Sequence, residues 1–218
     1  MRIVAFADTH GQHEDVTLPD GDVAVFAGDA CRHGSRDDFL DFLDWYEKQS
    51  HGLKIMIPGN HDICTEKYPG FALSACRARD IAYLANAGIR PSNVSYYGFP
   101  WTPRFGNWAW MKDEGELRAD LDTIMWEPDV FISHGPPVGV LDRTTREGEY
   151  VGSVSLWNYI LDSDISLNIF GHIHEGYGVY RLNDTLFVNC SLMNENYELV
   201  NKPVVIELEA PKLRWRIE

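Results

Sequence analysis

The sequence lacks any apolar run close to the roughly 20 residues that a membrane-spanning helix needs. It also lacks a Pro- or Ser-rich linker, a low-complexity tract and a repeat of fixed period. These absences argue against a membrane partner and against several tethered modules. We therefore expect a single domain over residues 1–218, in which 44% hydrophobic residues supply the core.

Cysteine is scarce, and the four cysteines show neither CxxC pairing nor zinc-finger spacing. This pattern favours reduced thiols over a disulfide framework. The apolar run before Asp8 is too short for a secretory signal. We therefore expect a cytoplasmic location.

Basic residues are also few, with 19 Lys and Arg against 33 Asp and Glu, which gives a net charge of −14. So acidic a surface repels polyanions, and we expect no long nucleic acid as a partner. A small anionic substrate is still compatible, because bound divalent cations would reverse the potential locally. The oligomeric state is left open, with a dimer as one alternative.

Short apolar runs alternate with helical patterns over most of the chain, and strands alone follow. The first strands are predicted at residues 2–7, 23–27, 53–57, 130–133 and 167–170, and the later ones at 178–181, 186–189, 204–209 and 213–217. Helices are predicted after the N-cap candidate Ser35, over 72–86 and over 116–126. This order predicts a layered α/β fold with more than one sheet.

Residues of metal-ligand type follow five of these strands. The segments are Asp8-Thr9-His10, Gly28-Asp29, Gly59-Asn60-His61-Asp62, His134-Gly135 and Gly171-His172-Ile173-His174. Each motif alone is typical of a turn, a helix cap or a core histidine. Five of them in order, at the strand ends where α/β sheets collect their sites, predict a metal centre. Carboxylates mixed with imidazoles favour Mn, Fe, Zn or Ni over an all-oxygen Mg or Ca site.

This succession of motifs resembles the calcineurin-like metallophosphoesterases over residues 3–189. Segments 133–137 and 171–178 are similar to the MPPED (239AB) phosphodiesterase branch of that family. The resemblance implies the metallophosphoesterase fold, in which two mixed β-sheets pack as a sandwich flanked by helices.

The resemblance also implies two divalent metal ions, with Mn²⁺ expected first and Fe, Zn, Ni or Mg as alternatives. It places one ion on Asp8, His10, Asp29 and His174, and the other on Asp29, Asn60, His134 and His172. A shared carboxylate offsets the repulsion of two ions roughly 3.5–4 Å apart, and a hydroxide bridging them can attack phosphorus in line.

His61 and Asp62 are the predicted catalytic residues outside the ligand set. We expect His61 to protonate the leaving oxygen or to stabilise charge on the phosphate, while Asp62 orients its ring. Alternatively, Asp62 caps the segment that follows it. Asn60 is expected to contact the phosphate as well as a metal.

Substrate-binding candidates are Trp101, Arg104 and Arg32. The aromatic segment 99–111 forms either a packed cluster under a loop or a pocket wall, in which Trp101 faces a base or aryl group and Arg104 binds phosphate. Arg32 either faces the substrate or is a solvated surface residue. The residues after Gly28-Asp29 do not match the Arg-containing pattern of protein serine/threonine phosphatases, which argues against phosphoprotein substrates.

The predicted function is hydrolysis of a phosphodiester bond in a small substrate, with cyclic nucleotides among the candidates. Two alternatives stay open: a phosphomonoesterase acting on nucleotides or metabolites, and a non-catalytic metal-binding scaffold. The complete ligand set argues against the scaffold.

Overall fold

The computed structural model describes residues 1–145, 148–209 and 214–217. Its strands, in chain order, are β1 (Arg2–Phe6), β2 (Val23–Phe26), β3 (Leu53–Met56), β4 (Ile81–Tyr83), β5 (Ala87–Ile89), β6 (Tyr96–Phe99), β7 (Thr102–Pro103), β8 (Met111–Lys112), β9 (Val130–Ser133), β10 (Leu167–Phe170), β11 (Gly178–Leu182), β12 (Thr185–Asn189), β13 (Val204–Glu209) and β14 (Arg214–Ile217). The α-helices are α1 (Arg36–Glu47), α2 (Ile63–Lys67), α3 (Pro69–Arg77), α4 (Glu114–Leu121) and α5 (Val154–Leu161).

Two six-stranded mixed sheets form the body of the fold. The first has the order β14-β13-β1-β2-β3-β4, and its strands β1 to β4 run parallel. The second has the order β11-β12-β10-β9-β6-β5, and its four inner strands run parallel. Strands β7 and β8 pair separately. The carboxyl ends of the parallel strands therefore share one edge in each sheet.

The two sheets pack face to face, because alternate side chains of each strand enter a shared core. Ile3 and Ala5 of β1 are fully buried in one cluster with Ile132 of β9 and Ile169 of β10. The sandwich predicted from the family resemblance is confirmed.

Helices cover the outer faces of both sheets. On the first, Phe26 of β2 packs against Phe42 of α1, with ring centroids 4.4 Å apart. On the second, Phe131 of β9 lies in a cluster with Leu117 of α4 and Leu156 of α5. These apolar contacts place helices outside the two six-stranded sheets, in the layers that the α/β pattern predicts.

Two predicted helices differ in the structure. The helix predicted over 72–86 is wrong in its second half, because α3 ends at Arg77 and Ile81–Tyr83 pair with β3 as β4. Asp80 has a φ of 53°, a left-handed conformation that interrupts the helix. The helix predicted over 116–126 begins earlier and ends at Leu121.

Other boundaries agree more closely. Ser35 caps α1 as predicted, since its hydroxyl accepts a hydrogen bond from Asp38 N–H at 3.0 Å. The last predicted strand corresponds to β14, except that Leu213 lies outside the described residues. Within the described part of the chain, no helix has the length and apolar character needed to cross a bilayer.

Candidate metal centre

Five loops meet where the carboxyl edges of the two sheets come together. Their backbones are joined directly, because Asp8 N–H donates to Gly28 O at 2.9 Å and Gly171 N–H donates to His134 O at 3.0 Å. The loop after β1 thus lies on the loop after β2, and the loop after β10 lies on the loop after β9. This arrangement brings together the segments in which the sequence places ligand-type residues.

Within the described part of the chain, three overlapping groups of side chains could each hold a metal ion. Their ligand atoms lie within 4.8 Å of one another in the groups Asp8–His10–His174, His10–Asp29–His61 and Asp29–His134–His172. Asp29 belongs to two groups, as expected of a carboxylate shared between two ions. Its Oδ2 lies 3.7 Å from His10 Nε2 and 3.4 Å from His134 Nε2.

The ring of His134 is held with a lone pair directed at other ligand atoms. Its Nδ1 lies 2.8 Å from Ala27 O, and since a carbonyl only accepts, Nδ1 carries the proton. In the neutral ring, Nε2 therefore presents its lone pair to Asn60 Oδ1 at 3.0 Å and to Asp29 Oδ2 at 3.4 Å. Three such atoms repel one another unless a proton or a cation lies among them. The donor set therefore fits a divalent cation.

His174 is oriented in the same way, by a hydrogen bond from Nδ1 to a backbone carbonyl. Its Nδ1 donates to Asn194 O at 2.9 Å, so Nε2 is left to face His10 Nε2 at 3.3 Å and Asp8 Oδ1 at 3.9 Å. The sequence did not identify Asn194 as a contributor, because it follows the last motif and supplies only a backbone carbonyl.

Burial and neighbouring charges shift the pKa values of these groups in opposite directions. Burial lowers the pKa of His10 to about 4, despite the nearby carboxylates, and it lowers the pKa of His172 well below its usual value. Burial alone would lower the pKa of His134, but Asp29 and Asp8 raise it to about 9. Burial alone would raise the pKa of Asp29, yet His134 holds it well below its usual range. The imidazoles of His10 and His172 are thus neutral, whereas His134 keeps a proton.

The backbone is strained where ligands leave the strands. Asp8, His10, Asp29 and His172 have φ values of 57°, 42°, 64° and 68°, which non-glycine residues adopt at a cost. A neighbouring glycine gives the carboxylates room, since a Cβ at Gly59 would collide with Asp29 Oδ1. These four residues lie in the short turns that aim the side chains.

The orienting role predicted for Asp62 is wrong. Its buried carboxylate accepts hydrogen bonds from backbone N–H groups of Gly59 at 2.8 Å, Cys31 at 2.9 Å, Asp29 at 3.1 Å and Ala30 at 3.4 Å. It does not cap α2 with its side chain either. Asp62 instead holds the loop after β2 against the loop after β3, because backbone donors from both converge on it.

The ring of His61 is held by other groups. Its Nδ1 donates to Arg32 O at 3.1 Å, and its face stacks on Trp108 with centroids 4.4 Å apart and planes 21° apart. The backbone N–H of His61 donates to Asp29 Oδ1 at 2.7 Å. His61 is therefore tied to Asp29 through its backbone and to Arg32 through Nδ1.

A cavity of about 600 Å³ opens over these groups. Its wall includes the ligand-type residues His10, Asp29, Asn60, His61, His172 and His174, the aromatic residues Phe105, Trp108 and Tyr197, and the carboxylates Glu149, Glu175 and Glu195. Tyr197 packs edge-on against His10 and His174, with centroid distances of 4.9 and 5.2 Å. No sequence motif pointed to Tyr197, because it arrives from a turn after the last strand of the second sheet.

The substrate-binding candidates are placed differently from the sequence expectation. Trp101 is not in the wall that the described residues form, and it packs against Trp110 and under Lys112. Arg104 lines the cavity, but its guanidinium donates to Asp113 Oδ1 at 2.9 Å. Arg32 is exposed and stands outside the same wall, contributing its carbonyl to His61. The packed-cluster alternative therefore holds for Trp101, while Phe105 and Trp108 supply the pocket wall.

Comparisons with known proteins agree with this geometry. A family model described as calcineurin-like phosphoesterase matches residues 1–176. Metallophosphoesterase domain-containing protein 1 of Homo sapiens and that of Mus musculus are each 31% identical to the chain, over 97% of this chain and 72% of theirs. One solved structure superposes with a TM-score of 0.75 at 15% identity, over 100% of this chain and 98% of that one. The protein TT1561 of Thermus thermophilus superposes with a TM-score of 0.63 at 12% identity, over 86% of this chain and 88% of that one.

Proposed function

The chain belongs to the calcineurin-like phosphoesterase family, whose members depend on divalent metals, and we propose that it hydrolyses the phosphodiester bond of a small substrate. Asp8, His10, Asp29 and His174 would hold one ion, and Asp29, Asn60, His134 and His172 would hold the other. Two of the three groups, Asp8–His10–His174 and Asp29–His134–His172, support this assignment, as do the tautomers set by Ala27 and Asn194. When bound, the ions activate water and neutralise charge on the phosphoryl group.

His61 supplies the acid in this proposal. Because Nδ1 donates to Arg32 O, the proton available for transfer is the one on Nε2. His61 lines the cavity beside the ligand groups, where Nε2 can deliver that proton to the departing oxygen or donate to a phosphate oxygen. Asp62 contributes indirectly, because its carboxylate holds together the two loops that carry Asp29 and His61.

The carboxylates in the cavity wall carry the preference for a diester. Glu149, Glu175 and Glu195 line the cavity, and Arg104 is already paired with Asp113. Burial would raise the pKa of Glu175, but hydrogen bonds from backbone groups and from Thr145 lower it, so this carboxylate is ionised at neutral pH. A phosphomonoester carries close to two negative charges at pH 7 and a diester carries one. Repulsion by the wall therefore disfavours the monoester more strongly.

Aromatic side chains in the same wall suit the second organic group of a diester. Trp108 and Tyr197 offer ring surfaces beside His61, and Phe105 lies 5.3 Å from the ring of His172. Such surfaces stack with a nucleobase or an aryl group. A cyclic nucleotide is accordingly one candidate substrate.

The test compares bis(p-nitrophenyl) phosphate with p-nitrophenyl phosphate, using protein stripped of metal and reloaded with Mn²⁺. We expect metal-dependent turnover that is faster on the diester. Asp29→Asn should abolish it, because the shared position loses the negative charge that would offset two cations, whereas His33→Ala, at an exposed histidine outside the ligand groups, should retain it. Faster turnover of the monoester would keep the metal centre but overturn the diester preference. No turnover of either, with metal demonstrably bound, would favour the scaffold.

A further inference from the structure

Among the described residues, the ring of His61 has one hydrogen bond and one stacked partner, and the tilted ring of Tyr197 lies farther away, at 6.2 Å. The bond from Nδ1 to Arg32 O fixes one ring atom but leaves the ring free to swing about it. The stack on Trp108, at 4.4 Å and 21°, restricts that swing because a tilted ring would lose contact with the indole face. His10 meets the ring edge-on at 4.5 Å and closes another side.

Trp108 is itself fixed to the segment that carries His61. On its C-terminal side, Ala109 N–H donates to Asn60 O at 3.3 Å, and Trp110 Nε1–H donates to Thr65 Oγ1 at 2.9 Å. These bonds attach the aromatic segment 99–111 to residues that precede and follow His61 in the sequence. Segment 60–65 therefore fixes the positions of both the indole of Trp108 and the imidazole of His61.

Trp108 contributes little to the folded core. Its side chain is 42% exposed, whereas Trp110 is 7% exposed. A tryptophan exposed to this extent stabilises the fold much less than a buried one does. The stack on His61 and the position in the cavity wall are what its ring does in this fold, so its replacement is expected to leave the fold intact.

We propose that Trp108 is the positioning residue for His61, the role predicted from the sequence for Asp62. The indole fixes the plane of the imidazole and thereby aims Nε2 at the departing oxygen. This inference rests on the proposed function, in which His61 is the acid.

The kinetic test uses two diesters that keep the same phenyl group and differ in the leaving group, p-nitrophenyl phenyl phosphate and diphenyl phosphate. Phenolate leaves poorly without a proton, whereas p-nitrophenolate needs little help. Trp108→Ala should lower kcat about 30-fold for diphenyl phosphate and about 3-fold for the nitrophenyl ester, with a small change in KM. Trp108→Phe, which keeps a ring for stacking, should restore most of the loss.

Phe105→Ala is the matched control, because Phe105 lines the same cavity but contacts His172 rather than His61. It should slow both diesters by the same factor. If Trp108→Ala also slows both equally, Trp108 acts as a general wall residue and the inference is overturned.

A double-mutant cycle asks whether Trp108 acts through His61. The His61→Ala/Trp108→Ala protein should be no slower on diphenyl phosphate than His61→Ala alone, because the group that Trp108 positions is already absent. A further loss of about 10-fold or more in the double variant would overturn the inference.

A spectroscopic readout separates this inference from the proposed function. In protein loaded with diamagnetic Zn²⁺, the ring current of Trp108 should shift the His61 ring C–H protons upfield in the NMR spectrum. The shift should persist in Trp108→Phe and vanish in Trp108→Ala. If neither diester is hydrolysed, the proposed function fails while this signal still decides the positioning. Identical His61 signals in wild type and Trp108→Ala would overturn the inference.

Discussion

Nε2 of His10 lies 3.3 Å from Nε2 of His174, and the other nitrogen of His174 donates to Asn194 O at 2.9 Å. The proton of His174 is thus held on the side away from His10. The neighbouring carboxylate of Asp8, 3.9 Å from His174 Nε2, adds a negative charge to the same point. A divalent cation among these atoms would be coordinated by both imidazoles and the carboxylate, so that metal binding and fold stability are linked.

We expect Mn²⁺ to raise the thermal stability of the protein. At a concentration about 100 times its Kd, the ion adds about 3 kcal/mol to the free energy of unfolding, which corresponds to a rise in Tm of about 5–10 °C. Differential scanning calorimetry with and without EDTA measures the shift. His174→Ala should lose most of it and His33→Ala should keep it. Equal Tm values in both conditions for the wild type would contradict the metal centre.

The metal-free protein should lose stability as the pH rises from 6.5 to 9. Asp29 and Asp8 raise the pKa of buried His134 to about 9, so the charged form stabilises the fold fully below 6.5 and this contribution is lost as the pH passes 9. The loss amounts to as much as about 3 kcal/mol. His10 and His172 have lowered pKa values, so their titration changes the stability below pH 6.5 and not between pH 6.5 and 9.

Urea unfolding at pH 6, 7.5 and 9 checks this dependence. Metal-loaded protein should show a flatter profile, since the ion replaces the proton on His134. The His134→Gln variant should be flat even without metal. A wild-type profile that rises with pH across this window would refute the assignment of the proton to His134.

Gly59→Ala should lower both the stability of the protein and its affinity for Mn²⁺, although it adds only one methyl group. A Cβ at this position would collide with Asp29 Oδ1 and Asp29 N, so the loop must shift. We expect a loss of about 2–4 kcal/mol in the free energy of unfolding and a weaker affinity for Mn²⁺. Gly115→Ala is the matched control, because nothing lies within 4 Å of the added carbon and the residue sits in α4. It should stabilise the protein by about 0.5–1 kcal/mol. Denaturant unfolding and metal titration of the two variants distinguish these outcomes.

Removing charge from the cavity wall should shift the substrate preference towards monoesters. Glu149→Gln and Glu195→Gln each remove one negative charge that repels the second charge of a monoester. The ratio of kcat/KM for p-nitrophenyl phosphate over the diester should rise about 2- to 5-fold in each. Glu127→Gln, which makes the same charge change at an exposed position outside the wall, should leave the ratio unchanged. An equal rise in all three variants would mean that net charge, not the wall, sets the preference.

The sequence could predict which strands deliver ligand-type residues, because chemistry and position coincide there. Asp8 and His134 each follow a short buried strand, and the ends of parallel strands share an edge. The site as a whole depended on the family resemblance for its division into two ions. That division stays a prediction.

Contacts that cross between distant segments could not be read from local patterns. Asn194 and Tyr197 reach the centre from a turn, and their contributions are a carbonyl and a ring edge. The prediction for Asp62 is wrong because its place next to His61 in the sequence does not bring its carboxylate to the imidazole ring. The loop turns its carboxylate inward to Gly59 and Cys31. The short run Ile81–Tyr83 likewise suits a helix or a strand, and only pairing with β3 decides it.

The left-handed backbone at Asp8, His10, Asp29 and His172 sets two demands against each other. Glycine would relieve each of these turns by about 1 kcal/mol, because it adopts this conformation without a steric cost. The same substitution would remove a side chain that the proposed metal centre needs. At Asp8 and Asp29 it would also remove the carboxylates that accept hydrogen bonds from His172 N–H and His61 N–H. A glycine at any of these turns therefore exchanges a small local gain for a larger loss, which is why strain at a turn can be retained.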